Sequence, residues 1–132
     1  YRLNSSGAEA VLDGMEVTGF MPVKYGDTVY MENVDWYINS GNTSQTYAWV
    51  YDSKFTPLSF ALAQQINNNE KPLPATAEVE MVGDKKRLVK FVVDANFFAT
   101  SKNGNITDTA FLRLNCEHMS AGSIITVNEP IR

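Results

Sequence analysis

Between Thr28 and Asn39 the apolar residues change parity once, and this limits the fold more than any other stretch of the chain. Val29 and Met31 stand at odd positions, whereas Val34, Trp36 and Ile38 stand at even ones. Successive side chains of a strand point to opposite faces, so one uninterrupted strand cannot bury both sets on one side. An extra residue near Glu32-Asn33 restores the register. That is a β-bulge, which bends a strand and lets a small sheet curl toward a barrel. Two shorter strands are the alternative.

The same period-two alternation recurs along the chain. Met15 to Met21 is rich in strand formers and stops at Pro22, with Gly19 marking a bend or bulge. After the loop Ser40 to Ser44, the run Gln45 to Tyr51 sets Tyr47, Trp49 and Tyr51 against Ala48 and Val50. Ala77, Val79 and Met81 alternate with Thr76, Glu78 and Glu80, and across the Gly83-Asp84 turn Val89, Phe91 and Val93 alternate with Leu88, Lys90 and Val92. This pair is a hairpin, and the charges of Lys85-Lys86-Arg87 beside its turn are the solvated kind. Asn103-Gly104 is a second hairpin turn, between Phe97 to Ser101 and Asn105 to Thr107. Leu112, Leu114 and Cys116 form a strand, although Asp108 to His118 can also be written as a short helix. Ser123 to Val127 is the last strand.

One segment breaks the pattern. Thr56 suits an N-cap, Pro57 suits the first helical position, and Leu58, Leu62 and Ile66 recur every four residues with Ala61 and Ala63 alongside. Asn67-Asn68-Asn69 and the prolines at 72 and 74 end the run. These features predict an amphipathic helix over Pro57 to Asn68. A second, shorter helical turn is expected at Ala8 to Leu12, stopped by Gly14. The resulting order is strand, long bent strand, strand, helix, strand, strand. It is the order of the oligonucleotide- and oligosaccharide-binding (OB) barrel. The expected fold class is mainly β (α+β), either a small, partly open OB-like β-barrel or a curled antiparallel sheet, with one packed helix and extra C-terminal strands.

A length of 132 residues with 44 % hydrophobic residues suits one domain with its own core, and 11 % aromatics exclude intrinsic disorder. The net charge of −4, with its cations scattered, excludes duplex DNA as a partner. A single cysteine, Cys116, excludes an internal disulfide and a cysteine-rich metal knuckle. The chain opens on Tyr1 with a polar segment through Gly7, expected to be a flexible lead-in following a signal peptide, anchor, tag or neighbouring domain. Three Asn-X-Ser/Thr triplets, at Asn4, Asn42 and Asn105, are no more than this composition produces by chance.

Four groups of residues carry possible chemistry. Tyr47, Trp49 and Tyr51 share a strand face, with Tyr30, Trp36 and Tyr37 on the expected neighbour; flat rings of this kind stack on bases, sugars or proline-rich peptides. Lys54, Lys85, Lys86 and Arg87 are charge partners for such a ligand. The competing reading makes the same rings one wall of the core. Cys116 and His118 have the spacing of a two-ligand metal bite, but two ligands do not make a site. Glu32 with Asp35 and Glu78 with Glu80 are carboxylate pairs that alternation turns toward water, without the burial or crowding that acid–base work requires. With one histidine and no phosphate loop or dinucleotide fingerprint, an enzyme is the least supported class, and no cofactor is implied.

The leading expectation is a non-catalytic extracytoplasmic module, of a secreted or membrane-anchored protein, binding another protein or itself through β edges or the aromatic face. Membrane contact would run only through a segment preceding Tyr1. One alternative is an OB-like domain for single-stranded nucleic acid or glycan, using Tyr47, Trp49 and Tyr51. Another is a phage or virus structural subunit.

Overall fold

Alternating runs become strands here, and the chain distributes them between two packed sheets. The computed structural model describes residues 2–3, 9–10, 16–36, 46–62, 74–83, 85–101, 103–118 and 122–130. The smaller sheet has the order β13 (Ile124–Val127), β5 (Thr28–Glu32), β10 (Lys85–Val92), β9 (Glu78–Val82). The larger contains β11 (Thr100–Ser101), β8 (Pro57–Leu62), β7 (Thr46–Tyr51), β12 (Phe111–His118) and β3 (Glu16–Val17) in that order, with β4 (Met21–Pro22) and β6 (Asp35–Trp36) also paired to β12. Near the start, β1 (Arg2–Leu3) pairs with β2 (Glu9–Ala10), so Glu9–Ala10 is strand where a helical turn was expected. Every ladder is antiparallel.

The two main sheets face each other across one core. Val29 and Met31 of β5 and Leu88 and Phe91 of β10 meet Ala48 and Val50 of β7, Ala61 of β8, and Leu112 and Leu114 of β12. A layered pair of this kind is a sandwich, and the expected closure into a barrel does not occur. The parity change at residues 32–34 explains why. At Asn33 the backbone takes a φ of 55° and the chain leaves the smaller sheet; Val34 enters the core and β6 joins β12 of the larger one. The switch in buried face is real, but it marks a passage between sheets by two short strands, not a curl within one.

The expected helix at Pro57 to Asn68 is also corrected: among the described residues there is no α-helix, and Pro57–Leu62 is β8. Residues 63–68, the rest of that prediction, lie outside the described residues. Two bulges interrupt the ladder of β8 with β7, and the one in β8 accounts for the Leu58 and Ala61 part of the misleading pattern. In the β7–β8 ladder Val50 pairs Ser59 and Tyr51 pairs Pro57, which leaves Leu58 as an extra residue. Farther along, Thr46 pairs Leu62 and Ala48 pairs Ala61, leaving Tyr47 extra. Because the first bulge shifts parity, Leu58 and Ala61 reach the same core at a spacing of three, which imitates a helical face. β8 is held along both edges, by β7 and by β11, and Asn103 donates from its backbone N–H to the Leu58 carbonyl and from Nδ2 to the Pro57 carbonyl, each at 3.0 Å. Pro57 sits at the first residue of the strand, a place where its missing N–H is tolerated.

Asn103-Gly104 therefore turns the chain toward β8 instead of closing a hairpin, and Asn105 begins a 3-10 turn at Ile106–Asp108. The Gly83 hairpin, the strand reading of the segment ending at His118, and the last strand are as expected. So is the bulge at Gly19: Val17 pairs Asn115 while Met21 pairs Leu112, one residue more on the N-terminal side. Asp94 caps a turn with its carboxylate, accepting from the N–H groups of Asn96 at 3.0 Å and Phe97 at 2.9 Å. That turn drives Phe97 and Phe98 inward, where Phe97 stacks on Phe91 with centroids 4.3 Å apart and planes 13° apart. Phe91→Ala should therefore cost about 3–5 kcal/mol, the range for emptying a buried aromatic site, and lower the urea midpoint accordingly.

Candidate functional site

β7 is buried on both faces, and this decides where its aromatic rings go. Ala48 and Val50 belong to the core between the sheets; Trp49 and Tyr51 belong to a second cluster on the opposite face of the larger sheet, packed with Val17, Phe60 and Phe111. The Tyr47 bulge turns that ring into the inter-sheet core with Ala48, where its hydroxyl donates to the Met31 sulfur at 3.7 Å. Tyr47, Trp49 and Tyr51 are thus not one stripe. All three are buried, with Trp49 at 0 % exposure against Phe60, centroids 4.6 Å apart. Their flat faces are covered by protein, but they do not form a single core wall with Ala48 and Val50 facing out: Tyr47 shares the inter-sheet core with Ala48 and Val50, and Trp49 and Tyr51 lie in the second cluster.

The other expected rings are dispersed as well. Tyr30 lies on the outer face of the smaller sheet, Trp36 is in a strand paired to β12, and Tyr37 falls outside the described residues. Of the expected charge partners, Lys54 is exposed in the β7–β8 turn and Arg87 lies on β10. Lys85 and Lys86 begin that same strand. Cys116 and His118 sit on β12 with a register shift between them, since Cys116 pairs Trp36 and His118 pairs Asp35. Among the described residues no group of three His, Cys, Asp or Glu is placed to hold a metal ion.

A different aromatic group reaches the surface. Phe20 is 41 % and Phe55 53 % exposed, and both rest on the half-buried ring of Phe111. Phe55 stacks on Phe111 at 4.9 Å and 20°; Phe20 meets Phe55 edge-on at 4.7 Å and Tyr51 edge-on at 5.0 Å. Beneath Phe20, the guanidinium carbon of Arg113 lies 4.6 Å from the ring centroid, a cation–π contact. Arg113 is itself buried, and its Nε donates to the Thr18 carbonyl at 2.8 Å. The Thr18 hydroxyl accepts from the Leu114 N–H at 2.9 Å, so the Gly19 bulge that thrusts Phe20 outward is fastened to β12 by side chains.

Phe55 is presented by a tight loop. Asp52 accepts at Oδ1 from the N–H groups of Lys54 at 2.8 Å and Thr56 at 2.9 Å, while the Phe55 N–H donates to the Asp52 carbonyl at 3.0 Å. These bonds, led by that from the Thr56 backbone, hold the Asp52 carboxyl below its ordinary pKa. The loop requires a φ of 64° at Phe55, a left-handed conformation usually filled by glycine or asparagine. A large apolar residue there is both strained and exposed. Neither Phe20 nor Phe55 emerges from alternation. The available signal is a lone phenylalanine inside the turn-forming stretch Asp52 to Thr56, where a polar residue belongs.

No protein-family model matches the chain, and no curated protein or solved structure matches it. The rings of Phe20, Phe55 and Phe111 offer an apolar, pre-stacked surface bordered by a buried cation, and the shifted carboxyl nearby is engaged by backbone amides.

Two predictions test this description. Phe55→Gly should be more stable than Phe55→Ala by about 1 kcal/mol, because both remove the ring but only glycine relaxes the left-handed backbone; equal urea midpoints would contradict it. Asp52 has a folded-state pKa below its unfolded value, so its stabilisation is present above the unfolded pKa and fades as pH falls through the folded one. The difference in urea midpoint between wild type and Asp52→Ala should therefore be larger at neutral pH than in acid.

Proposed function

We infer that this chain is a non-catalytic protein-interaction module, acting outside the cytoplasm in a secreted or membrane-anchored protein, that docks a partner on Phe20, Phe55 and Phe111. The single observation that carries the reading is Phe55: a ring held 53 % exposed by a turn whose left-handed backbone disfavours it. Strain of this kind concentrates at functional sites. The rings are organised before any partner arrives, which lowers the ordering cost of binding. A partner of matching chemistry brings an aliphatic or aromatic side chain into the space over Phe20 and Phe55.

The non-catalytic half of the reading is supported by the carboxylates. Glu32, Glu78 and Glu80 are exposed, and the Asp52 carboxyl is displaced away from neutral pH, opposite to what a general acid or base requires. The location is supported by the acidic balance of −4, which suits a freely exposed surface. The buried state of Trp49 weighs against nucleic acid or glycan stacking on the expected face.

A photo-reactive residue at position 55, compared with one at position 128, tests the docking face in cells expressing the full-length gene. Protein adducts from position 55 that disappear with Phe20→Ser are the expected outcome. Equal labelling from both positions, or none from 55, would remove the basis for this face. Saturable quenching of Trp49 fluorescence by an oligonucleotide or glycan would favour the other ligand class, and an exclusively cytoplasmic signal in surface labelling would refute the location.

A further inference from the structure

β9 ends the smaller sheet, with β10 as its ladder partner among the described residues. Alternate residues of such an edge turn N–H and C=O groups outward, where another strand can pair with them. Edges are commonly blunted by charged side chains, proline or a bulge in the strand itself. β9, Glu-Val-Glu-Met-Val, has no proline and no bulge of its own, the extra residue in its ladder being Val89 on β10, and its two charges are both negative, which bars some strands and admits others. All five of its residues are exposed, Met81 to 60 %.

Cross-strand pairs assign its two faces. Val79 stands opposite Leu88, a core residue, so Val79 and Met81 continue the core face past its rim. Glu78 stands opposite Lys90 and Glu80 opposite Arg87, on the outer face, where Glu78, Glu80 and Lys90 line a groove with Tyr30 and Glu32. Three cations of β10 stand across from this face of β9, Lys85 at Val82, Arg87 at Glu80 and Lys90 at Glu78. Arg87 reaches Glu80 at 3.3 Å, and the Lys90 ammonium lies 5.9 Å from the Tyr30 ring centroid. The cations all stand on β10; β9 itself carries none, and along the free edge it presents Val79 and Met81 on one side and the carboxylates of Glu78 and Glu80 on the other.

That charge selects the occupant. Two copies of β9 paired antiparallel would crowd Glu78 and Glu80 of both chains onto one face, and like charges across a ladder destabilise it. A strand of opposite sign is favoured. We propose that β9 is the acceptor edge for an extended segment of another protein, which adds to the smaller sheet with Lys or Arg facing Glu78 and Glu80 and apolar side chains alternating onto Val79 and Met81. Main-chain hydrogen bonds supply affinity and the two faces supply specificity. This edge belongs to the smaller sheet and is independent of the Phe20, Phe55 and Phe111 surface on the larger one.

A labelled peptide alternating lysine with valine, titrated into the full chain by fluorescence polarisation, tests the proposal. Its controls are a peptide alternating glutamate with valine and one carrying the same lysines and valines in two blocks. The alternating basic peptide should bind at least about tenfold more tightly than either control and more weakly at high salt. It should also slow amide exchange across residues 78–82. The double variant Glu78→Lys and Glu80→Lys, with its urea midpoint as the check on folding, should lose this binding, whereas Phe55→Ser should keep it. Equal binding of the block and alternating peptides, binding without protection of residues 78–82, or no binding overturns the proposal. So does a concentration-dependent dimer that protects the same amides, which would assign the edge to a second copy.

Discussion

Four separate segments hydrogen-bond to β12, and the placement of nearly everything else follows from that strand. β7 lies along it from Phe111 to Leu114, β3 and β4 pair with it across the Gly19 bulge, and β6 meets it at Cys116 and His118. Leu112 and Leu114 point into the core between the sheets, while Phe111, Arg113 and Asn115 occupy the opposite face. A strand covered on both sides must satisfy its polar side chains internally. Arg113 does so through the Thr18 carbonyl and the Phe20 ring, so one buried cation joins the backbone of the bulge to the aromatic surface above it.

The bulges at Tyr47 and Leu58 are the second organising device. Each places two neighbouring residues of one strand against one residue of the other, and together they split the aromatic content of β7 between two layers. Trp49 and Phe60 form a cross-strand pair on the outer layer; Tyr47 and Phe97 meet edge-on in the inner one. The rings left near water, Phe20 and Phe55, belong to a bulge and a turn, the places where a ladder leaves a side chain unpaired.

What alternation could show, it showed: the strand character of most segments, the Gly83 hairpin, the bulge at Gly19 and the parity change near Asn33. Periodicity is a local quantity, however, and three outcomes depended on distant partners. The Leu58 and Ala61 spacing is ambiguous between a helix and a bulged strand until β11 and Asn103 occupy the far edge of β8. The parity change fits a bulge as well as a passage between sheets until β6 is seen on β12. The surface aromatics were hidden because Phe20 and Phe55 owe their exposure to φ values and bulges, which a hydrophobic pattern does not encode. Even for the Tyr47, Trp49 and Tyr51 run, burial of both strand faces depends on layers contributed by other parts of the chain.

The bond from Arg113 to Thr18 spans 95 residues, and it has a temporal side. During synthesis the N-terminal strands β3 and β4 leave the ribosome long before the strand they pair with, and β7 also lacks one of its two neighbours until β12 emerges. The larger sheet can close only once β12 has emerged, so the apolar faces of β3, β4 and β7 wait in the open until then. A topology dominated by such distant pairings folds slowly and depends on its environment to keep those faces from other chains.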